Sequence, residues 1–390
     1  PVGCVQFGHV VGWTELEFAL GHRSASAEPD GALRRMLREG RERFLAAARR
    51  EKPDRVPAAP SNGNFGAALA GTPISIYNTS AARMAEAQLR AWEALGQDVV
   101  VAQSDQYYIV EGFGCVTHQP FNETPNLVKP AVETLEEIGR LRTPDPWRDG
   151  RMHVYLDAVA ELRRQLGREV AIRGPGTGPF SMASYLAGGT EYFLMEIATA
   201  EAEEDRDRSR RVLNLMEISS DALIAFLLAL LEAGSDVAQV GDSLASLSMI
   251  SPSIYEKYVF PFERKVFAAV GPRARETGAV TLLHICGDTR RILPLMAETG
   301  ADILEIDAKV DMAEARELTG GKVALMGNLE PTAVLFQGTP DLVRREAEAV
   351  MRSARALEGG FILGSGCEVV PRSPLENLLA LVRAAREFRG

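Results

Sequence analysis

Short apolar runs alternate with helical stretches along this chain from about residue 56 onward, and that rhythm leaves few folds open. Val56-Pro57-Ala58-Ala59, Asp98-Val99-Val100-Val101-Ala102, Val170-Ala171-Ile172-Arg173 and Val237-Ala238-Gln239-Val240 each read as a strand. So do Val280-Thr281-Leu282-Leu283, Ile303-Leu304-Glu305-Ile306, Val323-Ala324-Leu325-Met326 and Phe361-Ile362-Leu363. Between them lie stretches that can be helical, clearest over Ala81 to Leu95, His153 to Leu166, Asp207 to Ala233 and Ile254 to Val270. Strands apolar on both faces and bounded by helices belong to a parallel sheet covered on both sides. Eight such units in about 340 residues predict a single (β/α)8 TIM barrel, with an open doubly wound sheet as the runner-up. Neither Gly-x-Gly-x-x-Gly nor a phosphate loop occurs at a strand-to-helix junction, which favours the barrel.

Two segments fall outside the rhythm. Residues 1–50 form an N-terminal extension, with Phe7, Trp13, Leu16 and Phe18 scattered through its start and a helical pattern from Asp30 that ends at Lys52-Pro53-Asp54-Arg55. It is expected to serve as a lid or a dimer contact, leaving 51–390 as the barrel domain. From Ile109 to Pro146 runs an insertion rich in Pro, Asn and Thr, expected to pass over the barrel mouth.

Charge and composition exclude several partners. A net charge of -10 and a pI near 5.3 are the reverse of a nucleic-acid footprint. No apolar run reaches the roughly 20 residues of a membrane span, and the greasiest stretch, Ala222 to Leu231, reads as a buried helix. The first stretch lacks the basic start and apolar block of a secretory signal. Four scattered cysteines do not make a disulfide framework, so a reducing cytoplasm is expected.

In a barrel of this kind the active site is built where the strands end. The fifth strand ends in His284-Ile285-Cys286-Gly287 and the eighth in Gly364-Ser365-Gly366-Cys367. Residues two apart on an extended chain point to one face, so His284 and Cys286 converge, and a shared mouth brings Cys367 to them. One imidazole and two thiolates are a zinc donor set with an open fourth position. Asp242, ending the fourth strand, is the candidate for that position; its plain alternative is a helix-capping carboxylate. Asp105 is the second catalytic candidate, and a structural or supporting role is the alternative for it and for Asp307. Asn62, Asn64, Tyr107, Tyr108, Arg173 and Asn328 stand at strand ends as substrate-binding candidates. Cys4 with His9, and Cys115 with His118, are lone pairs left outside the site.

The succession of motifs resembles the uroporphyrinogen decarboxylase superfamily, and more closely its zinc-dependent, corrinoid-linked methyltransferase branch. The resemblance rests on Glu51-Lys52-Pro53-Asp54-Arg55-Val56-Pro57, Gly174-Pro175-Gly176-Thr177-Gly178-Pro179-Phe180, Gly241-Asp242-Ser243, His284-Ile285-Cys286-Gly287, Met326-Gly327-Asn328-Leu329-Glu330-Pro331 and Gly366-Cys367-Glu368-Val369-Val370-Pro371. It implies zinc on His284, Cys286 and Cys367 and a partner protein carrying the corrinoid (cobalamin). The decarboxylases themselves hold their tetrapyrrole with an early Arg-rich segment. This chain has Ala59-Pro60-Ser61-Asn62-Gly63-Asn64 there, so a metal-free decarboxylase-like lyase is only the further alternative. Within methyl transfer, the long lid favours a methoxylated donor losing its methyl to cobalt (O-demethylation). The alternative is a zinc-activated thiol accepting the methyl from methylcobalamin.

Overall fold

The computed structural model describes residues 39–390, and the reading of the first 38 residues as lid or dimer contact lies outside them. Seven strands form one parallel sheet in the order β1 (Val99–Val101), β4 (Ala171–Thr177), β5 (Val237–Gly241), β6 (Val280–His284), β7 (Ile303–Glu305), β8 (Ala324–Leu329) and β9 (Phe361–Ser365). The intervening labels β2 (Val116–His118) and β3 (Asn126–Lys129) belong to a separate antiparallel pair in the insertion. The expected first strand is reduced to an isolated bridge between Ala58 and Leu363. It still joins the two edges of the sheet: Leu363 N donates to Pro57 O, Ala59 N to Leu363 O, and Asp98 N to Ala58 O. The expected barrel is therefore present, with one stave made of a few backbone bonds. Pro57 and Pro60 flank it, and proline has no N–H to extend a ladder.

Side-chain alternation sorts each strand into two cores. Val99, Ala171, Val237, Val280, Leu282, Ile303, Ala324, Met326 and Ile362 share one apolar cluster inside the barrel. Their chain neighbours Val100, Ile172, Ala238, Leu283, Leu304, Leu325 and Leu363 join the outer cluster under the helices. The first helix, α1 (Gly40–Ala48), contributes Phe44, Leu45, Ala47 and Ala48 to the inner cluster. It is held at the strands' N-terminal ends by Arg43, which bonds Asp54 at 2.6 and 2.7 Å and Asp98 at 2.7 Å. The bottom of the barrel is thus closed, and the opposite end is left for chemistry.

Two details adjust the sequence reading. Gly174-Pro175-Gly176-Thr177, expected as a turn, continues β4 in register with Ala238, Gln239, Val240 and Gly241. A Cβ on Gly174 or Gly176 would come within 2.8 or 2.5 Å of the Leu230 or Leu223 methyls, so the glycines let a helix lie close on the strand. Pro175 costs little because β1 ends its pairing at Val101 with Arg173. The helix in question, α2 (Arg206–Ala233), is long and apolar enough to pass for a membrane span by length and composition. Over half of its most apolar window is packed inside the protein.

Candidate metal and substrate site

The expected convergence is present at the C-terminal end of the sheet. Strands β6 and β9 are separated by β7 and β8, and the curl of the sheet brings their ends together. His284 Nε2 lies 3.2 Å from Cys286 Sγ, and Cys286 Sγ lies 3.6 Å from Cys367 Sγ. All three ligand atoms fall within 4.8 Å of one another, the one such group among the described residues. Two sulfurs bound at about 2.3 Å to a tetrahedral ion stand about 3.8 Å apart, so the donors fit a single zinc-sized cation.

The local electrostatics fit it too. His284 presents Nδ1 to the backbone oxygen of Glu305 at 3.1 Å and to its carboxylate at 3.4 Å. In the neutral ring, a proton on Nδ1 directed there would leave the Nε2 lone pair toward the sulfurs. Burial opposes charge on the imidazole, but Glu305 and Cys286 outweigh it and hold His284 up at about 9. The Cys367 thiol hydrogen-bonds the Cys286 sulfur and, with His284 beside it, holds Cys286 down at about 3. Cys367 is raised, because it faces that thiolate and is buried. Holding both sulfurs as thiolates therefore requires a positive charge between them, which a cation supplies.

Glu305 was missed as a site residue, though a lone carboxylate inside Ile303-Leu304-Glu305-Ile306 was a visible signal. It follows Ile303 on the inward face, in register with His284. Arg173 and Gln239 occupy the same interior. Arg173 donates NH1 to Glu305 at 3.0 Å, NH2 to the other carboxylate oxygen, and Nε to Gln239. Both partners of this ion pair are almost fully buried. Arg173 thus matches the charge of Glu305, as a buried carboxylate requires.

The other candidates take varied places. Asp242 is fully buried with its oxygens on the amides of Phe180 (3.0 Å) and Ser181 (2.7 Å), at the start of a helix over Pro179–Leu186. That is the capping geometry, and desolvation raises its pKa. Asp105 pairs with Arg151 at 2.8 and 3.0 Å and accepts from Tyr155 Oη at 2.9 Å and Tyr107 N at 2.8 Å. Asn64 is tied to Ser104, and Asn328 donates to Asp307 O and Val310 O. Tyr108 is buried against Tyr155, ring centroids 4.0 Å apart, and donates to Pro175 O. Tyr107 is half-buried against Tyr185 at 4.9 Å. Asn62 is buried with neither side-chain polar atom hydrogen-bonded. Cys115 stays apart, donating to Tyr185 O, its thiol pushed up by burial to about 12.

A cavity of about 80 Å³ opens onto two of the three donors, His284 and Cys367. His284, Cys367, Asp105, Tyr108 and Arg173 line it, as do Ser61, Gln103, Gln106, Gln239, Ser243, Glu305 and Glu368. Ser243 Oγ lies 3.5 Å from Cys286 Sγ and accepts from Gln106 Nε2 at 3.3 Å. Glu368, also missed, accepts from the Asn64 amide at 3.2 Å, and burial pushes it up to about 7.

A closed parallel barrel with an imidazole and two thiols at its mouth defines a class of barrel enzyme with a candidate metal site. The family model described as uroporphyrinogen decarboxylase (URO-D) matches residues 39–388, and the chain belongs to that family. It is 30% identical over 355 residues to the methylcobamide:CoM methyltransferase MtbA of Methanosarcina mazei, covering 90% of this chain and 98% of that one. It is 29% identical over 301 residues to a uroporphyrinogen decarboxylase of Syntrophotalea carbinolica, covering 76% and 82%. Among solved structures, a methyltransferase from Methanosarcina mazei superposes with a TM-score of 0.80 at 26% identity, covering 89% and 98%.

Proposed function

We propose that this protein is a corrinoid-linked methyltransferase that passes a methyl group from a methylcobamide, carried by a partner protein, to a small thiol at His284, Cys286 and Cys367. The observation that carries this reading is the convergence of those three donors beside a small cavity that His284 and Cys367 line. The similarity to MtbA over nearly the whole of both chains supports the reaction class. A zinc ion on these residues would lower the pKa of a substrate thiol and keep it as thiolate.

The chain's own residues do the rest. Glu305 fixes the ring of His284, and Arg173 keeps Glu305 in place. Two thiolate ligands cancel the formal charge of a divalent ion, which weakens it as a Lewis acid and suits thiolate activation over ether cleavage. The size of the cavity also favours a small thiol over the methoxylated donor expected from the length of the lid. The lyase alternative is disfavoured because Arg173, the one guanidinium lining the cavity among the described residues, is already matched by Glu305.

The test is metal content and methyl transfer together. Wild type purified without chelator is expected to hold about one zinc per chain. His284→Ala and Cys367→Ala should lose it while keeping the wild-type circular dichroism spectrum. Zinc-loaded protein should consume methylcobalamin only when a thiol is added. Absence of metal from the wild type would overturn the reading, and methyl transfer from methoxyarenes to Co(I)-corrinoid without any thiol activity would reverse the direction.

A further inference from the structure

We propose that Gln106 and Ser243 are positioning residues for the metal donors, a relay that aims one hydroxyl proton at the sulfur of Cys286; this rests on the methyl-transfer reading above. Strand register brings the hydroxyl to the sulfur. Gly241 pairs with His284, and the Asp242 amide donates to His284 O at 2.9 Å. Ser243 and Cys286 each lie two residues beyond that last pair, and their side chains meet at 3.5 Å. Gln106 is held from another side, where its backbone oxygen accepts from Thr177 Oγ1 at 2.8 Å.

The supply of protons sets the direction of the relay. Tyr185 Oη donates to Gln106 Oε1 at 3.0 Å, and burial raises the Tyr185 pKa, so the phenol keeps the proton it donates. With its oxygen taken, the Gln106 amide turns its nitrogen to Ser243 Oγ at 3.3 Å. Ser243 accepts there, and Cys286 Sγ is the one partner left for its single hydrogen among the described hydrogen bonds. A sulfur that holds a cation carries no proton, so in the loaded site the hydroxyl is the donor. The two sulfurs are treated unequally, since Cys367 meets no side-chain hydroxyl among the described hydrogen bonds. Two thiolates cancel the formal charge of a divalent ion, and a hydrogen bond to one of them draws back part of that donation. The relay thus holds Cys286 in place and leaves the ion more able to keep a substrate thiol as thiolate.

The experiment loads the full chain with Co(II), whose sulfur-to-metal charge-transfer absorption reports electron density on the ligand thiolates. Ser243→Ala should move that band to longer wavelength and weaken zinc about tenfold in competition with a chromophoric chelator, the low end of what an outer partner is worth. Ser243→Thr keeps a hydroxyl and should restore both. Gln106→Leu should move the band the same way by less, because the hydroxyl remains but is no longer aimed. In zinc-loaded protein, kcat for methyl transfer from methylcobalamin to 2-mercaptoethanol should fall in the order of the band shifts. A merely structural hydroxyl would change Tm and leave the band where it is. An unmoved band with wild-type zinc affinity in Ser243→Ala, or a Ser243→Thr no better than Ser243→Ala, would overturn the relay and leave the metal site standing. Wild type that takes up neither cobalt nor zinc would overturn the metal site and the relay together. The expected band shifts without methyl transfer to any thiol would support the relay and overturn the methyl-transfer reading. Should Ser243→Ala fail to fold, Gln106→Leu decides, and a wild-type band there overturns the relay.

Discussion

Removing the Glu305 carboxylate separates what holds this barrel together from what tunes its metal site. Arg173 and Glu305 lie inside the barrel with side chains 1% and 2% exposed, joined by two parallel N–H···O contacts. In Glu305→Ala the guanidinium keeps only Gln239 as a partner, and a buried charge left without its counter-ion costs about 3–5 kcal/mol. The double variant Arg173→Met/Glu305→Ala removes both charges and fills part of the space. Much of that loss should return, with a coupling energy between the sites of about 1–3 kcal/mol. Zinc affinity should not return with it. His284 Nδ1 retains the Glu305 backbone oxygen at 3.1 Å but loses the carboxylate at 3.4 Å. Loss of an orienting partner costs 10–100-fold in affinity, and the surviving carbonyl puts the expectation near about tenfold in both variants. Urea unfolding of the metal-free proteins gives the first quantity, and competition against a chromophoric chelator gives the second. A double variant no more stable than Glu305→Ala would refute the reasoning about the ion pair. Wild-type zinc affinity in either variant would refute the orienting role.

Two further predictions follow from buried side chains away from the metal donors. Glu263 is fully buried, accepts from Tyr255 Oη at 2.5 Å, and has its other oxygen unpartnered. Desolvation, with Asp242 adding to it, holds its pKa well above 4.5. The unfolded chain releases this proton near the ordinary value and the folded chain does not, so the contribution is fully present below about pH 4.5 and lost as pH rises toward the folded value. Glu263→Gln should therefore flatten the decline of stability between pH 5 and 8, measured by urea unfolding; an unchanged slope would show that Glu263 does not hold its proton. Phe44→Ala should cost about 3–5 kcal/mol, because the ring is fully buried in the cluster that plugs the barrel. A loss below about 1 kcal/mol would mean that α1 does not close the barrel floor.

Much of the fold was legible because parallel strands buried on both faces leave continuous apolar runs. Strand centres such as Val99–Val101 and Val280–Leu283 sit where the runs predicted. The misplaced boundary lay at β4, where Gly174-Pro175-Gly176-Thr177 reads locally as a turn. Its extended conformation is imposed from outside, by pairing with β5 and by the Leu223 and Leu230 side chains that require glycine there. The first strand failed in the opposite sense. Val56-Pro57-Ala58-Ala59 is apolar enough for a strand, but Pro57 within it and Pro60 after it flank Ala58 and only a bridge forms.

The convergence of His284, Cys286 and Cys367 was legible for a different reason: a His-x-Cys and a distant Cys at strand ends need only the barrel to meet. Asp242 shows where that logic stops. A strand-end carboxylate can face the mouth or the next helix, and only the position of Phe180 and Ser181 decides for the helix. Arg173, expected at a substrate, and Glu305, read only as part of a strand, were each visible as a charge in an apolar run. Their partnership was not, because 132 residues separate them and only the register of four strands brings them face to face. A charged residue inside a buried strand predicts an opposite charge on another strand of the same barrel, since the interior leaves it no water. Searching the remaining strands for that partner would have found the Arg173–Glu305 pair, and with it the carboxylate that orients His284.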